Sequence, residues 1–134
     1  LLAEDLAAVG EKVVSRVISH GYLPFAEALR HMQAMDALLL VNGPAADDAV
    51  FVPGKLFDYL TARRPVLFVG RAGDAADIVA RACGVENCFT HEMPEPVAEA
   101  IAGLIGKRPV DLEPLPEHAP AVTFRPLLSR LEAR

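Results

Sequence analysis

The sequence is poor in several residue types, and each shortage excludes a class of protein. Its 134 residues contain no tryptophan, two cysteines (Cys83 and Cys88) and an aromatic content of 6%. Two cysteines do not make the disulfide framework of a small secreted domain, and their spacing fits no paired CxxC zinc pattern. We therefore expect free thiols in a reducing, cytoplasmic compartment.

Basic charge and long apolar runs are also scarce. Eighteen acidic residues outnumber thirteen lysines and arginines, which leaves a net charge of −5. Because binding to a phosphate backbone needs a basic surface, this balance argues against a nucleic-acid partner. No apolar run approaches the ~20 residues that span a bilayer. Residues 1–5 also lack the basic start and apolar centre of a signal peptide.

What the chain does contain is typical of a globular domain. Hydrophobic residues make up 52% and charged residues 23% of the sequence. It begins with Leu1 inside a helical pattern, so we expect a piece of a longer protein. We predict a Rossmann-like domain over residues 1–106, a proline-rich tail over 107–122 and a C-terminal helix over 123–134.

Short apolar runs alternate with segments of helical periodicity, which indicates an α/β fold with a parallel sheet. The predicted strands are residues 16–20, 37–41, 66–69 and, more weakly, 87–90. The predicted helices are residues 2–9, 25–35, 55–62, 74–83, 94–105 and 124–131. Parallel sheets bind ligands at the carboxyl ends of their strands, which here means the loops after His20, Val41 and Val69. The loop over 42–53 is the longest of these, and long loops in small domains are often functional.

The start of the helix after that loop carries an unusual residue. Gly54 is followed by Lys55 in the first helical turn, where the exposed N–H groups and the helix dipole favour an anion rather than a cation. A bound phosphate would resolve this conflict. The alternative, which needs no ligand, is a surface ion pair between Lys55 and Asp58, three residues further along the predicted helix.

Several segments together resemble a known family. Residues 17–24 (VISHGYLP) and 34–40 (AMDALLL) are similar to two of its strands, and 70–78 to its glycine loop, in which Gly70 and Gly73 would allow a tight turn. The most specific match is residues 53–67 (PGKLFDYLTARRPVL), which resembles the family segment PGKLFEYLAAGRPVL. The family is the C-terminal, nucleotide-sugar-binding half of GT-B glycosyltransferases of group 1 (family 4).

The resemblance implies a Rossmann-like three-layer sandwich and a role in transferring sugar from a nucleoside diphosphate sugar to a glycan or lipid-linked acceptor, as in polysaccharide biosynthesis. It implies no metal and no cofactor beyond the donor. The partners implied are the nucleotide sugar and an N-terminal acceptor-binding domain, through which any peripheral membrane association would occur. No catalytic residue is assigned, and we expect the fragment to be inactive without that domain.

The resemblance also implies roles for single residues. Asp58 falls on a glutamate that holds the donor ribose, and Lys55 and Gly54 would meet the diphosphate. The remaining members of the implied donor site are Gly21, Tyr22 and Leu23, for the base, and Leu56. Two positions depart from the pattern: Asp58 is one methylene shorter than glutamate, and the first glutamate of the family's pair falls on Val50.

Other interpretations stay open from the residues alone. Gly21, Tyr22 and Leu23 can form an ordinary turn before a helix, and His20 can be a structural histidine. Arg63 and Arg64, where the family segment has Gly-Arg, fit a solvated helix end. No histidine, cysteine or acidic residue has metal-ligand spacing, so no metal site is predicted. The alternative function is a non-catalytic α/β interaction module that has lost donor binding.

Overall fold

Helices and parallel strands alternate through residues 10–43 and 51–106, the parts of the chain that this computed structural model describes. The elements in chain order are α1 (Glu11–Val14), α2 (Phe25–Ala34), β1 (Leu38–Val41), α3 (Lys55–Ala62), β2 (Val66–Val69), α4 (Asp74–Cys83), a 3₁₀ turn (Val85–Asn87), β3 (Cys88–Phe89) and α5 (Pro94–Leu104). No helix in this described part is long and apolar enough to cross a membrane.

The strands form one parallel sheet in the order β1-β2-β3. Leu38 stands opposite Val66 and Val41 opposite Val69, while Phe68 stands opposite Cys88. The fold is therefore α/β with a three-stranded parallel sheet, as the alternating sequence pattern predicts. It is compatible with a Rossmann-like domain.

The core lies between one face of the sheet and the helices α3 and α4. Leu40, Val66 and Phe68 point to this face from neighbouring strands, because side chains alternate along a strand. They pack against Leu56 of α3 and against Ala75, Ile78 and Val79 of α4. The central strand β2 is buried on both faces, since Leu67 is as inaccessible as its neighbours.

The outer strand β1 is buried on one face only. Leu38 and Leu40 are buried, whereas Leu39 is 45% and Val41 48% exposed. An apolar strand in a parallel sheet is normally covered on both sides, so this half-open face is unusual for its sequence.

The predicted strand over residues 16–20 is wrong. The backbone N–H groups of Arg16 and Val17 donate to the carbonyls of Val13 and Val14 in successive tight turns that follow α1. Ile18 is 78% exposed, so the short apolar run buries little area that would favour a strand. The loop after His20 therefore does not follow a strand of this sheet.

The other predicted elements within the described residues are confirmed with small shifts of their ends. β2 and α4 have the predicted bounds, α2 and α5 each end one residue earlier, and the weak last strand is reduced to Cys88–Phe89. The predicted helices over 2–9 and 124–131, the tail over 107–122 and the middle of the long loop, 44–50, lie outside the described residues.

Candidate functional site

Asn42 joins the two ends of the loop that connects β1 to α3. Its backbone N–H donates to the Val69 carbonyl at 2.9 Å, and its side-chain Nδ2 donates to the Phe51 carbonyl at 3.1 Å. The residue is buried, so these bonds satisfy polar groups that would otherwise be costly to bury. Sequence reasoning missed Asn42, although a polar residue directly after an apolar strand was a signal.

Gly70 lies against Asn42 at the same edge of the sheet. A Cβ at Gly70 would lie 2.6 Å from Phe68 Cζ and 3.1 Å from Asn42 Cβ, and the Gly70 N–H donates to the Phe89 carbonyl at 2.9 Å. Glycine is therefore needed here for close packing. The ends of β1, β2 and β3 are thereby held together below the loops.

Gly54 has no such structural reason to be glycine. Its backbone is right-handed helical, with φ −54° and ψ −35°, and a Cβ built on it would meet nothing within 4 Å. The space beside it is open to solvent. The N–H groups of Leu56 and Phe57 donate to the carbonyls of Pro53 and Gly54 in this first turn. The open space lets an anion approach the backbone ahead of them, at the positive end of the helix dipole.

Lys55 and Asp58 lie one turn apart on α3. Lys55 is exposed and Asp58 is partly exposed. Within the described residues the two side chains are not joined by an ion pair. Burial raises the pKa of the Tyr59 phenol, and the neighbouring Asp58 carboxylate raises it further.

Leu56, another residue of the implied donor site, is fully buried. Its side chain packs in the core, and its backbone N–H donates to the Pro53 carbonyl at 2.9 Å. In this structure Leu56 anchors the first turn of α3 to the sheet. Its side chain is therefore closed off from solvent.

Helices α2 and α3 contact each other. A hydrogen bond joins their C-terminal regions: Arg64, which follows α3, donates from Nε to the carbonyl of Gln33 in α2 at 2.7 Å. Because α3 follows β1, its first turn lies at the carboxyl edge of the sheet.

Residues 21–23 do not form a closed pocket on their own. Tyr22 is 96% exposed, and Gly21 adopts a left-handed backbone with φ 64° that favours glycine. The neighbouring His20 ring lies against the His31 ring of α2, with a centroid distance of 4.6 Å and an angle of 39° between the ring planes.

Metal-binding groups and reactive thiols contribute little to this edge. Within residues 10–43 and 51–106, no three His, Cys, Asp or Glu side chains are placed to hold a metal ion. Cys83 and Cys88 are free and half-buried, and burial raises the pKa of both thiols, which lowers their reactivity at neutral pH.

Comparisons of this chain with protein-family models, with curated proteins and with solved structures gave no match.

Proposed function

We propose that this chain is the donor-binding domain of a glycosyltransferase with GT-B architecture. In that arrangement the parallel sheet is part of a Rossmann-like three-layer sandwich. The observation that carries the proposal is the first turn of α3, where Gly54 and Lys55 stand exposed at the carboxyl edge of the sheet. Ligands of parallel α/β sheets bind at this edge.

In the proposed complex, the diphosphate of a nucleoside diphosphate sugar binds at the start of α3. The helix N–H groups and the Lys55 ammonium stabilise the charge that develops on the leaving diphosphate, without a metal. The open space at Gly54 lets an oxygen of the phosphate reach the backbone.

Asp58, one turn further along α3, accepts hydrogen bonds from the ribose hydroxyls in this proposal. A carboxylate has enough lone pairs to accept from both groups of a diol. Gly21, Tyr22 and Leu23 contact the base from the start of α2. These contacts orient the donor, and orientation is the main contribution of this domain to the rate.

The whole enzyme, in this proposal, transfers the sugar to a glycan or lipid-linked acceptor held by a separate N-terminal domain. The chain of 134 residues then binds donor weakly and does not transfer sugar by itself.

A second candidate is a non-catalytic α/β module that takes part in protein association. The observation that favours it is Val50, which stands where the resembled family has the first glutamate of its pair. A valine cannot accept hydrogen bonds from a sugar, so one of the two expected donor contacts is missing.

Titration of the purified chain with UDP, GDP and ADP, followed by amide NMR shifts, distinguishes the two candidates. We expect one of the nucleotides to change the amide chemical shifts of residues 54–58, and this change should saturate as its concentration rises. Lys55→Ala and Asp58→Asn should each weaken binding by roughly 10- to 150-fold, since a charge-assisted hydrogen bond contributes about 1.5–3 kcal/mol.

Matched controls are available elsewhere in the described chain. Lys12→Ala and Asp36→Asn make the same charge changes at exposed positions away from α3 and should leave affinity unchanged. Gly54→Ala should weaken binding while leaving stability nearly unaltered, because its backbone is helical and its surroundings are open. If none of the three nucleotides changes the amide chemical shifts, donor binding is refuted and the interaction module is favoured.

A further inference from the structure

Phe51 is a large aromatic residue that the fold leaves in contact with water. It is 57% exposed, although the two residues after it are held in the domain: Val52 packs against the core, and Pro53 is buried. The Phe51 carbonyl also accepts the hydrogen bond from Asn42 Nδ2 at 3.1 Å. The backbone at Phe51 is therefore fixed, while much of the residue stays open to solvent.

The same hydrogen bonds place Phe51 at the carboxyl edge of the sheet. Asn42 directly follows β1, and its N–H donates to the carbonyl of Val69 at the end of β2, so the residue that its side chain holds lies at this edge too. Three residues of chain span at most about 10 Å, which sets the largest separation of Phe51 from Gly54. Phe51 and the exposed first turn of α3 thus share the edge at which parallel α/β sheets bind ligands.

We propose that the donor sugar packs on the ring of Phe51, and that this sugar is a pyranose with an apolar face. The inference rests on the proposed function, in which Lys55 meets the diphosphate and Asp58 holds the ribose. In a nucleoside diphosphate sugar, the ribose and the sugar are attached to opposite ends of the diphosphate. Asp58 follows Gly54 along the chain and Phe51 precedes it, so Phe51 is the residue placed to meet the sugar.

The chemistry of the two rings suits this contact. The faces of a glucose ring carry C–H groups, because its hydroxyl groups project outward around the ring. These C–H groups have a small positive charge, whereas the face of a phenyl ring is negative. Stacking also removes apolar area of both rings from water. Since the Phe51 backbone is already fixed, the contact costs little chain entropy when the donor binds.

A comparison of free and sugar-bearing nucleotides tests this contact apart from the proposed function. UDP, GDP and ADP and their glucose conjugates are titrated calorimetrically into the wild-type chain and into Phe51→Ala. We expect the substitution to weaken binding of the conjugate roughly fivefold, as loss of an aromatic contact does, and to change binding of the free diphosphate less than twofold.

The control Ile105→Ala removes another exposed apolar side chain. Ile105 is 65% exposed, and it lies beside Ala37 and Leu38 at the amino end of β1, opposite the proposed site. It should change neither affinity. Equal losses for the diphosphate and its conjugate in Phe51→Ala, or no loss for either, would overturn the inference and leave donor binding in place. If the wild-type chain binds neither kind of nucleotide, the proposed function fails and the inference fails with it.

Phe51→Trp gives an independent readout, because the sequence contains no tryptophan. The introduced indole keeps an aromatic face for the sugar and is the only one in the chain. We expect the glucose conjugate to move its fluorescence emission to shorter wavelength, since the sugar covers the ring, and the free diphosphate to leave the emission unchanged. The same change with both nucleotides would assign the contact to the nucleoside or diphosphate and contradict the inference.

Discussion

Arg63 holds a backbone conformation that an L-residue adopts at a cost. It follows α3 with φ 58° and ψ 43°, and it is the one non-glycine residue with positive φ in the described part of the chain. Its N–H donates to the Leu60 carbonyl at 3.1 Å, so the turn closes the helix before Pro65. The family segment that residues 53–67 resemble has a glycine at this position.

We predict that Arg63→Gly stabilises the domain relative to Arg63→Ala. The left-handed conformation costs a residue with a Cβ roughly 1–2 kcal/mol, and alanine retains this cost while glycine removes it. Glycine gains about 0.5–1 kcal/mol of conformational entropy in the unfolded chain, which opposes the effect. The net difference should be about 1 kcal/mol in favour of glycine.

Urea denaturation followed by far-UV circular dichroism measures this difference. With a slope of about 2 kcal/mol per molar urea, the two midpoints should differ by about 0.5 M. The alanine variant is the appropriate reference because both substitutions remove the same guanidinium contacts. A glycine variant that is no more stable than the alanine variant would refute the prediction, because the backbone strain at Arg63 would then not exceed the entropy that glycine adds to the unfolded chain.

Two further predictions concern the sheet edge and alkaline pH. Gly70→Ala should destabilise the domain by about 1–3 kcal/mol, since its new Cβ would overlap the Phe68 ring, whereas Gly54→Ala should change stability little; urea titrations of both variants check this. Stability should also fall as pH rises above the ordinary pKa of a cysteine. The pKa values of Cys83, Cys88 and Tyr59 are raised in the fold, so the unfolded chain loses these protons first and is favoured at high pH. A Cys83→Ala/Cys88→Ala variant should show a flatter decline between pH 8 and pH 10, and an unchanged decline would contradict this assignment.

The elements that could be predicted are those whose signals lie within a few neighbouring residues. β2 stands between Pro65 and Gly70 as an uninterrupted apolar run, and its predicted bounds match the structure. α4 is flanked by Gly73 and Gly84 and also has its predicted bounds. The predicted strand over 16–20 is wrong because a strand needs a neighbouring strand to pair with. The N–H groups of Arg16 and Val17 instead donate to carbonyls within the turns that follow α1.

The same distinction applies to the site. Lys55 and Asp58 could be singled out because one helix fixes their spacing, although their roles stay predictions. Asn42 could not be placed from sequence, because its importance comes from Phe51 and Gly70, which are distant along the chain and close in space. Packing distances of this kind have no local pattern to read.

The Asn42 bond to Phe51 has a consequence for how the loop between them can change. This hydrogen bond holds the two ends of the loop together, so their closeness does not depend on the sequence of the residues between them. Doubling the length of such a loop costs only about 0.6 kcal/mol in chain entropy. The position is therefore suited to accept insertions, and new specificities can be grafted there without rebuilding the sheet beneath.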